Sequence, residues 1–181
     1  HIQARAWYGM FCLAFARGDF EEGVGEFKIT IENDPISSYA HSCLALTLST
    51  AGTFKEAIVS AEYAVKLDPD SLIARYNLGY CYLWSGQPDK ALKEWKFGLK
   101  ISKRQAWILH FISLTYLKLD QRNEAQKIFE EMKIRYRNNY FPPSNLAIVA
   151  AALGEDKYAL ELAHTSLEII DPYLFFTVSN L

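Results

Sequence analysis

Apolar residues recur along this chain at the three-to-four-residue spacing of helices, and glycine or Asp-Pro interrupts them at regular intervals. Residues at i, i+3, i+4 and i+7 share one helix face, so the spacing predicts amphipathic helices. The interruptions are periodic. Asp34-Pro35 recurs as Asp68-Pro69, and GDFEEG at 18–23 realigns with GTFKEA at 52–57, GQPDKA at 86–91, DQRNEA at 120–125 and GEDKYA at 154–159. Every step has the same length, a period of 34. Five copies tile the chain without an insertion, at 4–37, 38–71, 72–105, 106–139 and 140–173.

Each copy holds two apolar-periodic runs. The first closes at Gly18, Gly52, Gly86, Asp120 or Gly154, where a helix ends on a residue in the left-handed conformation. The second opens with acids, among them Glu21, Glu22, Glu56, Asp89, Glu124 and Asp156, and often ends in cations such as Lys66, Lys100, Arg135 and Arg137. That order complements a helix dipole, and Asp-Pro then stops the helix. No segment shows the Val- and Ile-rich alternation of a strand. The expected fold is all-α, with about ten helices in five antiparallel pairs.

Two columns of the repeat hold small residues: Ala45, Gly79, Ser113 and Ala147 (with Phe11 in copy one), and Gly23, Ala57, Ala91, Ala125 and Ala159. Between them stand large ones, Met10, Leu44, Leu78, Ile112 and Leu146, and Phe27, Trp95 and Phe129. Gly79 inside a helix costs roughly 1 kcal/mol against Ala. Close approach of the paired helices offsets that cost, so Gly79 reads as a packing residue.

This small–large pattern at period 34 resembles the tetratricopeptide repeat. The residues that carry the resemblance are Trp7, Leu78-Gly79, Tyr82, Gly86, Ala91, Trp95 and the Asp-Pro ends. It covers nearly the whole chain. Copy four departs most, with Ser113 and Asp120 in the small and glycine columns, and copy five opens with Pro142-Pro143, a pair suited to a first helical turn. The run from Tyr140 to Phe176 is also similar to repeat arrays attached to bacterial signalling proteins: winged-helix regulators, kinases and adenylate cyclases. The resemblance implies a right-handed superhelical solenoid and a docking or regulatory segment of a longer bacterial protein.

In this family the first helix of each pair lines a concave face. The resemblance places Tyr8, Cys12 and Phe15 there, then Tyr39, Cys43 and Leu46, then Tyr76, Asn77, Tyr80 and Trp84, then Trp107, His110, Phe111 and Leu114, and finally Asn145 and Ile148. The expected peptide-binding residues are Tyr8, Phe15, Tyr39, Tyr76, Asn77, Tyr80, Trp84, Trp107, His110 and Phe111. Aromatic rings with a polar edge give large contact area at small entropic cost. An extended peptide or amphipathic helix is the expected occupant; a helix of the same protein covering the rings is the alternative. A sensor that binds a small ligand or peptide and controls an attached effector is the second functional reading. Family arrays that hold a peptide's C-terminal carboxylate use Lys, Asn and Arg at positions that are Tyr8, Cys12, Cys43, Ile73 and Asn77 here. Of these, Asn77 alone matches, so chaperone-tail docking is rejected. Asn77 is left to bond either a ligand or a neighbouring backbone.

Composition narrows the picture. Half of the 181 residues are apolar and the formal net charge is −2, which argues against nucleic acid or an anionic membrane as partner. Cys12, Cys43 and Cys81 are an odd number among apolar residues, as free thiols in a reducing, cytoplasmic compartment would be. No uninterrupted apolar run reaches membrane-spanning length. The start HIQARAW has neither Met nor a signal-peptide pattern, and the chain is expected to be a fragment.

Catalytic and metal-site readings fail. Glu161 and His164 form one E-x-x-H motif where a carboxylate-bridged metal site needs two. His41 and His110 lack Cys or Asp at ligand spacing. Gly23-Val-Gly25 lacks the rest of a nucleotide loop and falls in a helix. Cys12 and Cys43 read as a buried thiol pair, and KFGLKISKR at 96–104 as a helix C-terminus. No enzyme, no cofactor and no metal is expected. The apolar tail LFFTVSNL, 174–181, is the start of a truncated capping helix, a segment docked on copy five, or a homodimer contact at this end.

Overall fold

Caps and breakers set where each helix starts and stops. The computed structural model describes residues 8–9, 17–102, 106–138 and 141–171. Among them run nine helices: α1 Phe20–Asn33, α2 Ser38–Thr50, α3 Phe54–Leu67, α4 Leu72–Trp84, α5 Pro88–Ile101, α6 Ala106–Lys118, α7 Arg122–Asn138, α8 Pro143–Leu153 and α9 Asp156–Glu168. They are the second helix of copy one and four complete pairs, and no strand occurs among the described residues. The first helix of copy one, with Cys12 and Phe15, and the tail 174–181 lie outside the described residues, so the Cys12–Cys43 pair does too.

The repeat is visible in the caps. Ser37 Oγ accepts from the Ala40 N–H and Ser71 Oγ from the Ala74 N–H, both at 3.3 Å, at positions one repeat apart. Each bond satisfies an orphan donor of a helix N-terminus. Gly18, Gly52, Gly86 and Gly154 have φ of 69°, 81°, 80° and 80°, and Asp120 fills the same column at 56°. α1 and α3 end where Asp34 and Asp68 begin the Asp-Pro steps. In copy five, Asp171 does more. Its Oδ2 accepts from the Ser144 N–H at 3.0 Å, so a buried carboxylate caps α8.

The chain divides into two compact units, 1–101 and 102–181. In the first, α2 packs on α3 and α4 on α5, while α4 also packs on both α2 and α3. In the second, α6 packs on α7 and α8 on α9, and α8 rests on both α6 and α7. Both units therefore use one step: a first helix lies across both helices of the copy before it.

The large column forms the core. Phe27, Trp95 and Phe129 are fully buried. Gly79 faces Trp95: a methyl group on Gly79 would lie 2.7 Å from Cε2 and 2.8 Å from Cδ1 of the indole. The indole N–H also donates to the Tyr76 carbonyl at 3.3 Å. Gly79 is the packing residue that the columns predict.

Candidate first-helix binding face

Hydrogen bonds of small polar residues tie the first helices of the first unit to their neighbours. On α2, Ser38 Oγ donates to the Ala64 carbonyl at 2.9 Å, and the His41 carbonyl accepts from Ser60 Oγ at 3.1 Å. On α4, Asn77 Nδ2 donates to the Ser42 carbonyl at 3.0 Å and to Ser42 Oγ at 2.7 Å. Asn77 is buried. Its amide therefore ties α4 to α2, through one bond to the Ser42 backbone and one to its side chain. The Cys81 thiol adds a weak bond to the Ala45 carbonyl at 3.6 Å.

The aromatic residues of the first unit divide into two groups. Tyr39, Tyr76 and Trp84 are half-buried, and Tyr8 is 45% exposed. Tyr80 is 7% exposed, with its ring centroid 6.0 Å from that of Trp84 and the planes tilted by 56°. Burial pushes the Tyr80 phenol up to about 12, and lifts Tyr39 and Tyr76 well above the usual tyrosine range. Burial likewise pushes the Cys43 and Cys81 thiols up to about 12. At neutral pH this face carries uncharged phenols and inert thiols.

In the second unit Trp107 is half-buried, while His110 and Phe111 are 6% and 4% exposed with ring centroids 4.0 Å apart. Burial pushes the His110 imidazole down to about 3, so it is neutral at pH 7. Its Nδ1 and the buried Asn145 Nδ2 have no hydrogen-bond partner among the described residues.

The residues expected on the aromatic wall differ in how far they are covered. Asn77, Tyr80, His110 and Phe111 are buried within the helix packing, as are Cys43 and Leu46. The reason is the layered step: a first helix that lies across the preceding copy covers part of the very face that the repeat columns assign to a ligand. The half-buried members are Tyr39, Tyr76, Trp84 and Trp107. Phe15 lies outside the described residues.

The rejected motifs have structural roles. His41 Nε2 bonds the Pro35 carbonyl at 3.0 Å, and its ring meets Tyr63 edge-on at 4.7 Å. His164 Nδ1 lies 3.3 Å from Glu168 Oε1 on an exposed helix face; its partner is Glu168, one turn on, and not Glu161. Among the described residues no three His, Cys, Asp or Glu side chains gather as metal ligands would, and no helix is long and apolar enough to cross a membrane. Sequence reasoning missed Ser42, whose pairing offset of 35 breaks the repeat period. It also missed the capping role of Asp171, which its Asp-Pro context could have signalled.

Residues 48–94 match the model of the tetratricopeptide repeat family. Anaphase-promoting complex subunit 3 of Schizosaccharomyces pombe is 24% identical over 124 residues, which are 68% of this chain and 19% of that protein. The chain thus spans 19% of the length of this curated relative. Among solved structures, a thermophilic TPR protein of Thermus thermophilus superposes with a TM-score of 0.75 at 20% identity, covering 93% of this chain and 91% of that one. MamA from residue 41 onward, of Desulfovibrio magneticus RS-1, gives a TM-score of 0.64 at 19% identity over 76% and 77% of the two chains. Residues 48–94 match the tetratricopeptide repeat, and the chain has the all-helical fold of tetratricopeptide-repeat proteins.

Proposed function

We propose that this chain is a non-enzymatic docking scaffold, part of a larger protein, that holds a peptide or amphipathic helix of a partner protein on its first-helix faces. One observation carries the reading. Tyr39, Tyr76 and Trp84 are half-buried on α2 and α4 and keep part of their rings at the surface, while their neighbours Cys43, Asn77 and Tyr80 are buried in the packing of those helices. Rings held this rigidly are low-entropy anchors for a partner.

Two further features support the wider setting. The fold recurs within 22% of the chain of Thermobaculum terrenum O-GlcNAc transferase, a precedent for such an array inside a longer protein. Leu160 and Leu167 on α9 are 72% and 65% exposed, which supports association of a second copy at this end. Inert buried thiols fit a reducing, cytoplasmic compartment.

The test is affinity capture from a source-cell lysate with the wild-type chain and Tyr39→Ser/Trp84→Ala as paired baits, read by mass spectrometry. The expected result is a partner present with the first bait and absent with the second, at equal helix content by circular dichroism. Partners captured equally by both baits would refute the first-helix face as the site.

A further inference from the structure

Two junctions in the first unit use the same columns and fill them differently. In the junction of α3 with α4 and α5, Arg75 pairs with Glu94 at 2.6 Å, donates from Nε to the Pro69 carbonyl at 2.9 Å, and lies 4.3 Å above the Phe97 ring. Tyr82 reaches across the same junction, and its hydroxyl donates to Glu62 at 2.7 Å. Lys90 lies 5.2 Å from the Tyr82 ring centroid.

One copy earlier, at the junction of α1 with α2 and α3, the equivalent positions of the repeat hold shorter side chains. His41 replaces Arg75 and repeats part of its role, with Nε2 on the Pro35 carbonyl and its ring on Tyr63. Ser60 replaces Glu94, so the ion pair has no counterpart, and Leu48 replaces Tyr82, so no ring crosses the junction. What remains is a wide-mouthed cleft of about 690 Å³ with a floor that includes Ile31, Leu44 and Leu48. Val59, where the next copy has Lys93, and Tyr63 stand at it 68% and 40% exposed. The charges also invert. Lys28, Glu32, Lys55 and Glu56 line this cleft, where the next copy has Glu62, Lys66, Asp89 and Lys90.

We propose that this cleft is a second docking site, distinct from the first-helix face, and that it takes an aromatic side chain with an adjoining carboxylate from a segment of a partner protein. The ring takes the place that Tyr82 fills in the next copy. Its polar end meets Lys28 where Tyr82 meets Glu62, and a cation calls for an acceptor, best an anionic one. The volume suits more than one side chain, and the open mouth with charges on its rim suits an inserted segment better than an enclosed small molecule.

The probes are the capped tripeptide acetyl-Asp-Tyr-Asp-amide and, as a free ring acid, 4-methylbenzoate, each titrated into the 181-residue chain. Methyl NMR shifts of Leu44, Leu48 and Val59 are the readout. The expected result is saturable shifts with the tripeptide, weakened roughly tenfold by Lys28→Glu. Leu48→Tyr/Lys28→Glu recreates the filled junction and should abolish the shifts while raising the melting temperature. Val59→Glu, a surface change that leaves the floor intact and sets a like charge beside the probe's carboxylates, should weaken binding without unfolding the chain. Shifts with 4-methylbenzoate alone would overturn a partner segment as the occupant. No saturable shift with either probe, or equal binding to the filled variant, would overturn the site.

Discussion

The α4–α5 pair and the α6–α7 pair solve one packing problem with different residues. In the first, Gly79 lies under the Trp95 indole, and the indole N–H bonds the Tyr76 carbonyl. In the second, the equivalent positions are Ser113 and Phe129, and Ser113 Oγ donates to the Ala125 carbonyl at 3.1 Å. Both large residues are fully buried. What the small residue gains the large one gives up, and the polar group moves from one to the other. The comparison teaches that the repeat keeps the filled volume of a helix pair and the satisfaction of its polar atoms, while the residues at each position vary.

The largest break in that comparison is Trp95→Ala, which leaves Gly79 facing a void. Core truncation of this kind costs about 3–5 kcal/mol, so urea unfolding should show the largest loss of any single change here. Gly79→Ser follows, at about 1–3 kcal/mol from overpacking. Adding Trp95→Phe to it copies the second pair and should recover part of the loss. Additive costs in this double-mutant cycle would show that the two positions do not share one volume.

A second equivalent pair sharpens the contrast. Asn77 bonds Ser42, whereas Asn145 and His110, two repeats on from each, hold buried groups without partners among the described residues. Asn77→Leu removes both bonds to Ser42, including the one to its buried Oγ, and should cost about 1–3 kcal/mol. Asn145→Leu removes an unpaired donor and should change the midpoint little or raise it.

The smallest effect depends on pH. His110 is held neutral by burial, with its folded pKa near 3 against an unfolded value of 6.5. The native state therefore binds fewer protons than the unfolded chain. This contribution is fully present above about pH 6.5 and is lost as pH falls toward 3, at up to about 1.4 kcal/mol per unit. His110→Phe should flatten that part of the stability profile between about pH 6.5 and 5.

The fold was legible because its signals are local and repeat. Glycine or Asp120 at each turn, acids at each second-helix start and Asp-Pro at the ends appear in the structure where the repeat period puts them. Gly79 was legible because a small residue between large ones leaves few alternatives to close packing. The site was less so. The columns show which residues share the first-helix face, but not how far the preceding copy covers it, and so Tyr80, His110 and Phe111 are more buried than expected. Ser42 was missed because its partner sits one residue out of period. The cleft at Leu48 emerges from comparing side-chain lengths across two copies, a difference that a search for shared residues passes over.

The central claim is that partner docking belongs to the first-helix faces of α2 and α4. Amide hydrogen exchange on the chain with and without its captured partner tests it most directly. The account predicts slowed exchange in the segments that hold Tyr39, Tyr76 and Trp84, with α1 and α5 unchanged. Protection confined to α1 or α5, or none at all at saturating partner, would contradict it.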